Sequence, residues 1–147
     1  MYDSVLVPLD GSKRAEAILP HVQKVVRPGS SKVTLMTALE PKAVASSINV
    51  QSQHAITHTD EQIKMSEVYL ENLVDDLIRR DIQAEPKVVI GPPVEMIIKV
   101  AEEINADLIA IASHGRSGLG RVFYGSIAAG VLAAVDRPLL LIRSRSI

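Results

Sequence analysis

The sequence predicts a single-domain α/β protein, with one five-stranded parallel sheet covered by helices on both faces. Its 147 residues are the usual length of a single domain and are enough to bury a hydrophobic core. Hydrophobic residues make up 47% of the chain but aromatic residues only 3%, so the core must consist of Val, Ile, Leu and Ala. Buried parallel strands have this aliphatic composition. The aliphatic runs also alternate with longer amphipathic stretches, which is the pattern of an α/β fold.

The short aliphatic runs are the predicted strands. The first two are Ser4–Val7 and Lys32–Leu39, and Pro86–Ile90 is the core of the third. Asp107–Ala112 and Pro138–Arg143 are apolar almost throughout, as expected of strands that are buried on both faces. Crossovers between parallel strands are right-handed, which leaves few topologies for such a chain.

The first two stretches between strands predict helices. Ser12 is the predicted N-cap of a helix that extends to about Arg27 and that Pro20 should kink. A second helix is predicted over Asp60–Arg80, where apolar residues recur on one stripe. Residues 41–59 show no clear periodicity, so we expect an irregular loop there, of a length that is more often functional than packed.

The remaining stretches predict two more helices, for a total of four. Pro92-Pro93 favours a helix start, and apolar residues follow it at helical spacing as far as Ile104. The last helix, Ser126–Val135, is apolar nearly all round, which predicts a helix packed deep against the sheet. Neither a repeat nor a linker divides the sequence, so residues 1–147 are expected to form one domain.

Charge and composition exclude several classes of function. The formal net charge is −1, from 16 basic and 17 acidic residues that are interspersed. A protein that grips nucleic acid through its phosphates would show a basic excess. The absence of cysteine removes disulfides and thiolate metal sites. His21, His54 and His58 do not combine into a credible metal site.

The sequence also gives an expectation for location. No apolar run approaches the roughly 18 residues that a membrane span needs. The first residues, MYDSVLVPLD, do not show the basic and then apolar pattern of a secretory signal. We therefore expect a cytoplasmic protein without a membrane span.

The most informative stretch follows the fourth predicted strand. Gly115, Gly118 and Gly120 let the backbone fold back with its amides exposed, and Gly125-Ser126 opens a helix. Ligands of open α/β sheets lie beyond the carboxyl ends of the strands. Unpaired N–H groups and the positive end of a helix dipole form an anion site, of which phosphate is the commonest occupant. Four glycines converging on a helix start favour this interpretation over a merely flexible loop with a capping serine.

Two better-known phosphate motifs do not fit this stretch. Gly120 to Ser126 lacks the lysine of the GxxxxGK[ST] loop, and the sequence from Gly118 fails the last position of GxGxxG. A second candidate group is Asp10, just past the first strand, which would face the same crevice. Its carboxylate could accept hydrogen bonds from a ribose hydroxyl or an adenine amine, or could form an Asx turn or helix cap.

These motifs resemble the universal stress protein family over essentially the whole chain. The family's nucleotide signature, G-x2-G-x9-G-(S/T), is matched in spacing by Ala112, Gly115 and Gly125-Ser126, with alanine in place of the first glycine. The opening VLVPLDGS, the Gly91-Pro92-Pro93 helix entry and the closing RPLLLI also match. The resemblance implies strand order 3-2-1-4-5, in an adenine nucleotide alpha hydrolase-like fold with the switch point between the first and fourth strands.

The resemblance also implies a set of binding residues. Pro8 and Asp10 would border the adenosine, with the carboxylate near the ribose, and Ala38 would lie against adenine. Gly125, Ser126 and Ile127 would hold the phosphates. The group that would wrap the ribose and phosphates comprises Ile111, Ala112, His114, Gly115 and Arg116, with Gly118 in the same loop. The implied ligand is ATP, or AMP or ADP, together with Mg²⁺.

Three functions are compatible with these observations. The leading one is a nucleotide-dependent regulatory protein of the stress response, which changes its shape or its protein partner when ATP binds. A slow ATPase or phosphotransferase is the alternative, but no convincing base lies near the glycine loop. A flavin carrier is less well supported, since the chain holds one Phe, three Tyr and no Trp. The apolar final strand, Pro138–Arg143, predicts a homodimer formed by edge pairing, and the resemblance implies the same.

Overall fold

The strands form one parallel sheet in the order β3-β2-β1-β4-β5, as the resemblance implied. The computed structural model describes residues 1–40, 51–115 and 125–145. The strands are β1 Ser4–Pro8, β2 Lys32–Leu39, β3 Gln83–Ile90, β4 Leu108–Gly115 and β5 Leu139–Arg145. The helices are α1 Lys13–Glu16, α2 Leu19–Val25, α3 Gln51–Arg79, α4 Pro93–Glu103 and α5 Ser126–Ala134. All five predicted strands are therefore confirmed, with ends that differ by a few residues.

Each face of the sheet carries its own hydrophobic core. Helices α1, α2 and α3 cover one face, where side chains such as Val5, Val22 and Leu70 are fully buried. Helices α4 and α5 cover the other face, where Leu6 and Ile109 belong to a core cluster with residues of both helices. Successive residues of the central strand β1 thus enter opposite cores, which explains why its sequence is apolar without alternation.

The first predicted helix is divided in two. The predicted N-cap is confirmed, because the Ser12 hydroxyl accepts a hydrogen bond from the Ala15 N–H at 3.2 Å. Helix α1 then ends at Glu16, and α2 begins at Leu19 with Pro20 in its first turn. Proline has no N–H to donate and its ring clashes with the carbonyl four residues earlier, so the predicted kink becomes a complete break.

The second helix is longer than predicted. Helix α3 begins at Gln51 rather than Asp60, so the expected irregular loop over residues 41–59 is wrong for residues 51–59. Residues 41–50 lie outside the described residues. The sequence from Gln51 is polar and lacks an apolar stripe, but extending an existing helix requires only residues that tolerate helical geometry. Among the described residues, no helix is long and apolar enough to cross a membrane.

The last helix is less buried than its sequence predicted. Only Ala128 and Val131 of α5 are buried, whereas Leu132 is 53% exposed. The helix contacts α4 and β4, and its remaining side faces outward. Gly130 sits at the contact with α4, where an added Cβ would lie 2.7 Å from Cγ2 of Val94. This glycine therefore permits the close approach of α5 to α4.

Arg137, in the RP motif before β5, closes the end of α4. One guanidinium nitrogen donates to the carbonyl oxygens of Ala101 and Ala106, at 3.0 and 2.8 Å. The side chain is only 17% exposed. The Ala101 carbonyl also accepts from the Ala106 N–H at 2.9 Å, so the guanidinium is its second donor. The positive charge also complements the negative end of the helix dipole.

Replacing Arg137 should therefore destabilise the fold. We expect Arg137→Met, which keeps the apolar stem, to lower the free energy of unfolding by about 2 kcal/mol, because two carbonyls lose a charge-assisted bond. Urea denaturation measures this. Asp136→Ala is the control, since it removes only the exposed ion pair at 3.2 Å and should cost less than about 0.5 kcal/mol. Equal midpoints for the two variants would contradict the capping role.

Candidate functional site

A cleft opens at the carboxyl edge of the sheet, where β1 separates from β4. The two strands are paired only through Val5 with Leu108 and Leu6 with Ile109. Pro8, at the end of β1, has no N–H with which to extend this pairing. Leu9 turns instead towards β2, donating to the Met36 carbonyl at 2.8 Å. The gap between β1 and β4 lies at the point where the strand order reverses, the usual place for ligands in open α/β sheets.

The cleft collects most of the residues that the sequence assigned to a binding site. Its volume is about 160 Å³, whereas one water molecule needs only about 10–15 Å³. The predicted site residues that line it are Pro8, Asp10, Ala38, Ile111, Ala112, Gly125, Ser126 and Ile127. His114 and Gly115 end β4 and pair in register with Ser144 and Arg145. Arg116 and Gly118 lie outside the described residues.

One wall of the cleft is apolar. Ala38 lies at the carboxyl end of β2, and Met36 and Ile97 line the cleft from the core beneath it. On the β4 side, Ile111 is only 5% exposed and Ala112 is half-buried. Such a surface is suited to the flat face of an aromatic ring, because binding the ring would remove further apolar area from water.

A tight turn around Asp10 forms another part of the cleft lining. One carboxylate oxygen accepts hydrogen bonds from the Ser12 N–H at 2.9 Å and from the Ser12 hydroxyl at 2.6 Å. Gly11 between them has a φ of +88°, a conformation that favours glycine. Asp10 therefore has the Asx-turn role that its sequence left open, and it also lines the cleft.

The amino end of α5 provides an electropositive end to the cleft. Gly125 is the N-cap residue and has no side chain with which to cap the helix. Its carbonyl accepts the first backbone hydrogen bond of the helix, from the Ala129 N–H at 2.9 Å. The N–H groups of Ser126, Ile127 and Ala128 precede this first bond of the helix, so they have no intrahelical acceptor. Their partial charges add to the helix dipole, which favours an anion at this end.

A side-chain hydrogen bond ties α1 to α3. The hydroxyl of Tyr69 donates to a carboxylate oxygen of Glu16 at 2.8 Å, and the Glu16 side chain is only 17% exposed. Burial raises the pKa of the Tyr69 phenol above its usual range, and the hydrogen bond to Glu16 and the charges of Glu16 and Asp10 raise it further. This bond anchors the short helix that carries one wall of the cleft.

Several lining residues were not identified from the sequence. They are Leu9, Ser12, Arg14, Ala15, Met36, Pro93, Ile97, Ser113 and Ala128. Ser12 and Arg14 follow Asp10 closely in the chain, so proximity to a candidate site residue was the available signal. In the part of the chain that the structure describes, no group of three or more His, Asp or Glu residues is arranged to hold a metal ion.

The fold and the cleft define an open α/β protein with a cleft at the switch point of a 3-2-1-4-5 sheet, where proteins of this class bind their ligands. Comparison with known proteins makes the assignment specific. The sequence profile of the universal stress protein family matches residues 1–143. The chain therefore belongs to the universal stress protein family.

Individual relatives are distant in sequence but similar over their full length. Universal stress protein MJ0577 of Methanocaldococcus jannaschii is 23% identical over 158 aligned residues, which cover 99% of this chain and 98% of the relative. The solved structure of MJ0577 has a TM-score of 0.85 at 24% identity, covering 100% of this chain and 99% of the other. This similarity confirms the fold.

Two other structures of similar fold contain nucleotides. A universal stress protein family protein from Arabidopsis thaliana, solved with AMP bound, has a TM-score of 0.69 at 17% identity and covers 98% of this chain and 92% of its own. A universal stress protein solved in complex with cAMP has a TM-score of 0.59 at 20% identity, and the match covers 97% of this chain and 98% of the other. At these identities the similarity establishes the fold alone.

The raised pKa of Tyr69 predicts a change in stability at alkaline pH. The folded protein holds the phenolic proton more tightly than the unfolded chain, so this contribution is fully present below about pH 10 and is lost as the pH rises beyond it. We expect the free energy of unfolding of the wild type to fall more steeply above pH 10 than that of Tyr69→Phe. Denaturant titrations at a series of pH values measure it. Tyr2→Phe is the control for losing a phenol, and parallel curves for wild type and Tyr69→Phe would contradict the prediction.

Proposed function

We propose that this chain binds an adenine nucleotide in the cleft between β1 and β4, with ATP, ADP and AMP as candidate ligands. The observation that carries the proposal is that one cleft combines an apolar wall, a carboxylate and the amino end of a helix. These are the groups needed for a base, a ribose and a phosphate. The nucleotides in two family structures of the same fold support the same class of ligand.

The apolar wall is the proposed base site. Adenine would lie against Ala38 at the carboxyl end of β2, with Ile111 closing the other side. Pro8 and Asp10 would border the adenosine. The Asp10 carboxylate would accept hydrogen bonds from ribose hydroxyls while still supporting the turn at Ser12, because a carboxylate has four lone-pair sites.

The amino end of α5 is the proposed phosphate site. Gly125, Ser126 and Ile127 line the cleft there, and the first N–H groups of the helix, which no side chain of the N-cap residue satisfies, provide donors. His114, Gly115, Arg116 and Gly118 remain predicted contacts from the loop between β4 and α5. Mg²⁺ fits this arrangement, since it commonly keeps several waters and is held through phosphates with few protein oxygens. The Ser126 hydroxyl would be its protein ligand here.

The proposed biological role is regulation rather than efficient catalysis. Binding of the nucleotide would alter the shape of the cleft and thereby the choice of protein partner, in a cytoplasmic stress response. The alternative role, slow hydrolysis or transfer of a phosphoryl group, needs a base that can accept a proton from the attacking group. Release of inorganic phosphate at saturating ATP and Mg²⁺ separates the two.

The decisive experiment identifies the nucleotide directly. We expect gently purified protein to release adenine nucleotide on denaturation, detected by mass spectrometry, and the stripped protein to bind ATP in calorimetry. Guanine nucleotide should bind more weakly, because its ring carries different donors and acceptors. Failure of the folded, stripped protein to bind any adenine nucleotide would refute the proposal.

The phosphate site makes a further prediction. Gly125→Val places a branched side chain where phosphate would meet the helix amides, so we expect ATP affinity to fall at least about a hundredfold, from the loss of two or three charge-assisted contacts. Calorimetry measures it. Ala134→Val, an exposed position at the other end of α5, is the matched control and should bind normally. Wild-type affinity in a folded Gly125→Val protein would show that the phosphates lie elsewhere.

We also propose a homodimer formed through β5. This strand lies at one edge of the sheet, and Leu139–Ile142 are half-buried there without an interrupting charge. An uncovered apolar edge exposes unpaired backbone groups, and pairing with a second copy around a two-fold axis would satisfy both. Light scattering at micromolar concentration should give about twice the chain mass of 15.9 kDa. A mass equal to that of one chain would contradict the dimer.

A further inference from the structure

Arg14 is a cation on the cleft wall that the sequence did not assign to the site. It lies in α1, its side chain is exposed, and it lines the cleft together with Asp10 and Ser12. Helix α1 packs against β4 and β5, with Ala15 joining the core on the face covered by α2 and α3. Arg14 therefore lies on the β4 side of the cleft rather than near Ala38.

The charge of Arg14 is not used by the fold. Among the described residues, its guanidinium forms no ion pair and no hydrogen bond. Its neighbour Lys13 instead has a partner in Glu16, at 3.9 Å, and does not line the cleft. A guanidinium presents five N–H donors in a fixed plane, which suits it to phosphate oxygens. Within the described cleft, Arg14 is thus a cation available to a ligand.

The amino end of α5 and Arg14 approach the cleft from opposite sides. Helix α5 packs through Val131 into the core on one face of the sheet, whereas α1 belongs to the other face. The two features therefore reach the cleft from opposite faces of the sheet. One phosphate held at the amino end of α5 would leave Arg14 without a partner. A chain of two or three phosphates could extend from the helix end towards it.

We propose that Arg14 determines specificity for the number of phosphates, favouring nucleoside di- and triphosphates over monophosphates. The inference rests on the proposed binding of an adenine nucleotide in this cleft. The phosphate nearest the ribose occupies the α5 end and is shared by all three nucleotides. The additional charge of ADP and ATP is met by the guanidinium of Arg14, across the end of β4.

The test compares two adjacent cations on the same helix. Arg14→Gln and Lys13→Gln each remove one positive charge, but only Arg14 lines the cleft. Affinities for ATP, ADP and AMP are measured by calorimetry at one ionic strength, without Mg²⁺. We expect Arg14→Gln to weaken ATP and ADP about tenfold, the loss of one charge-assisted contact, and AMP less than about twofold. Lys13→Gln should change all three less than about twofold.

Two further measurements separate a phosphate contact from other causes. Arg14→Lys keeps the charge but loses the planar fork, so the preference for ATP over AMP should be intermediate. Urea denaturation midpoints of all variants should match the wild type, because the Arg14 side chain makes no hydrogen bond or ion pair with the described residues. Raising the salt concentration should reduce the wild-type preference for ATP over AMP and leave that of Arg14→Gln nearly unchanged.

Several outcomes would overturn the proposal. Equal losses for ATP and AMP in Arg14→Gln would place the residue at the first phosphate or the ribose. Unchanged affinity for all three nucleotides would place Arg14 outside the site. An equal loss of affinity in Lys13→Gln would indicate an effect of net charge rather than a direct contact. In each of these cases the wild type still binds adenine nucleotide, so the proposed function stands. A wild type that binds none of the three refutes both.

Discussion

The early separation of β1 from β4 is the constraint on which the site depends. Two paired positions hold the strands together at Leu6, and beyond them Pro8 supplies no donor and Leu9 bonds to β2. The carboxyl edge of the sheet therefore opens at its centre, where α1 and α5 can approach from opposite faces. A regular ladder here would fill the cleft with backbone. The same strand is buried on both faces below this point, so the opening is confined to its last residues.

The cleft is shaped mainly by backbone geometry and receives few charged side chains. A positive φ at Gly11 lets Asp10 bond to Ser12, which starts α1, and the hydrogen bond between Tyr69 and Glu16 fixes where that helix lies. At the other end, an uncapped helix start supplies N–H groups. These arrangements provide donors and acceptors whose positions do not depend on flexible side chains. Charge enters through Asp10 and through Arg14, both on the wall that this turn and helix form.

Sequence reasoning succeeded where the signal is local and failed where it depends on packing. The strands could be predicted because buried parallel strands are continuous aliphatic runs, and Ser12 because an N-cap acts within one turn. The start of α3 at Gln51 could not, since its first residues carry no apolar period. Arg14 was missed because the direction of a four-residue helix is set by a contact between Glu16 and Tyr69, 53 positions apart. Eight of the lining residues could be predicted from the family resemblance, whereas nine, Arg14 among them, were not.

The absence of a side chain at Gly130 has a consequence for motion. With Val94 occupying the space that a Cβ of Gly130 would need, α5 and α4 are in close contact at this point. Pro93 begins α4 and borders the cleft, as does the start of α5. The two helix starts on this side of the cleft are therefore linked through the close contact between Gly130 and Val94. A ligand that draws the start of α5 inward would therefore press Gly130 against Val94 and act on α4 as well.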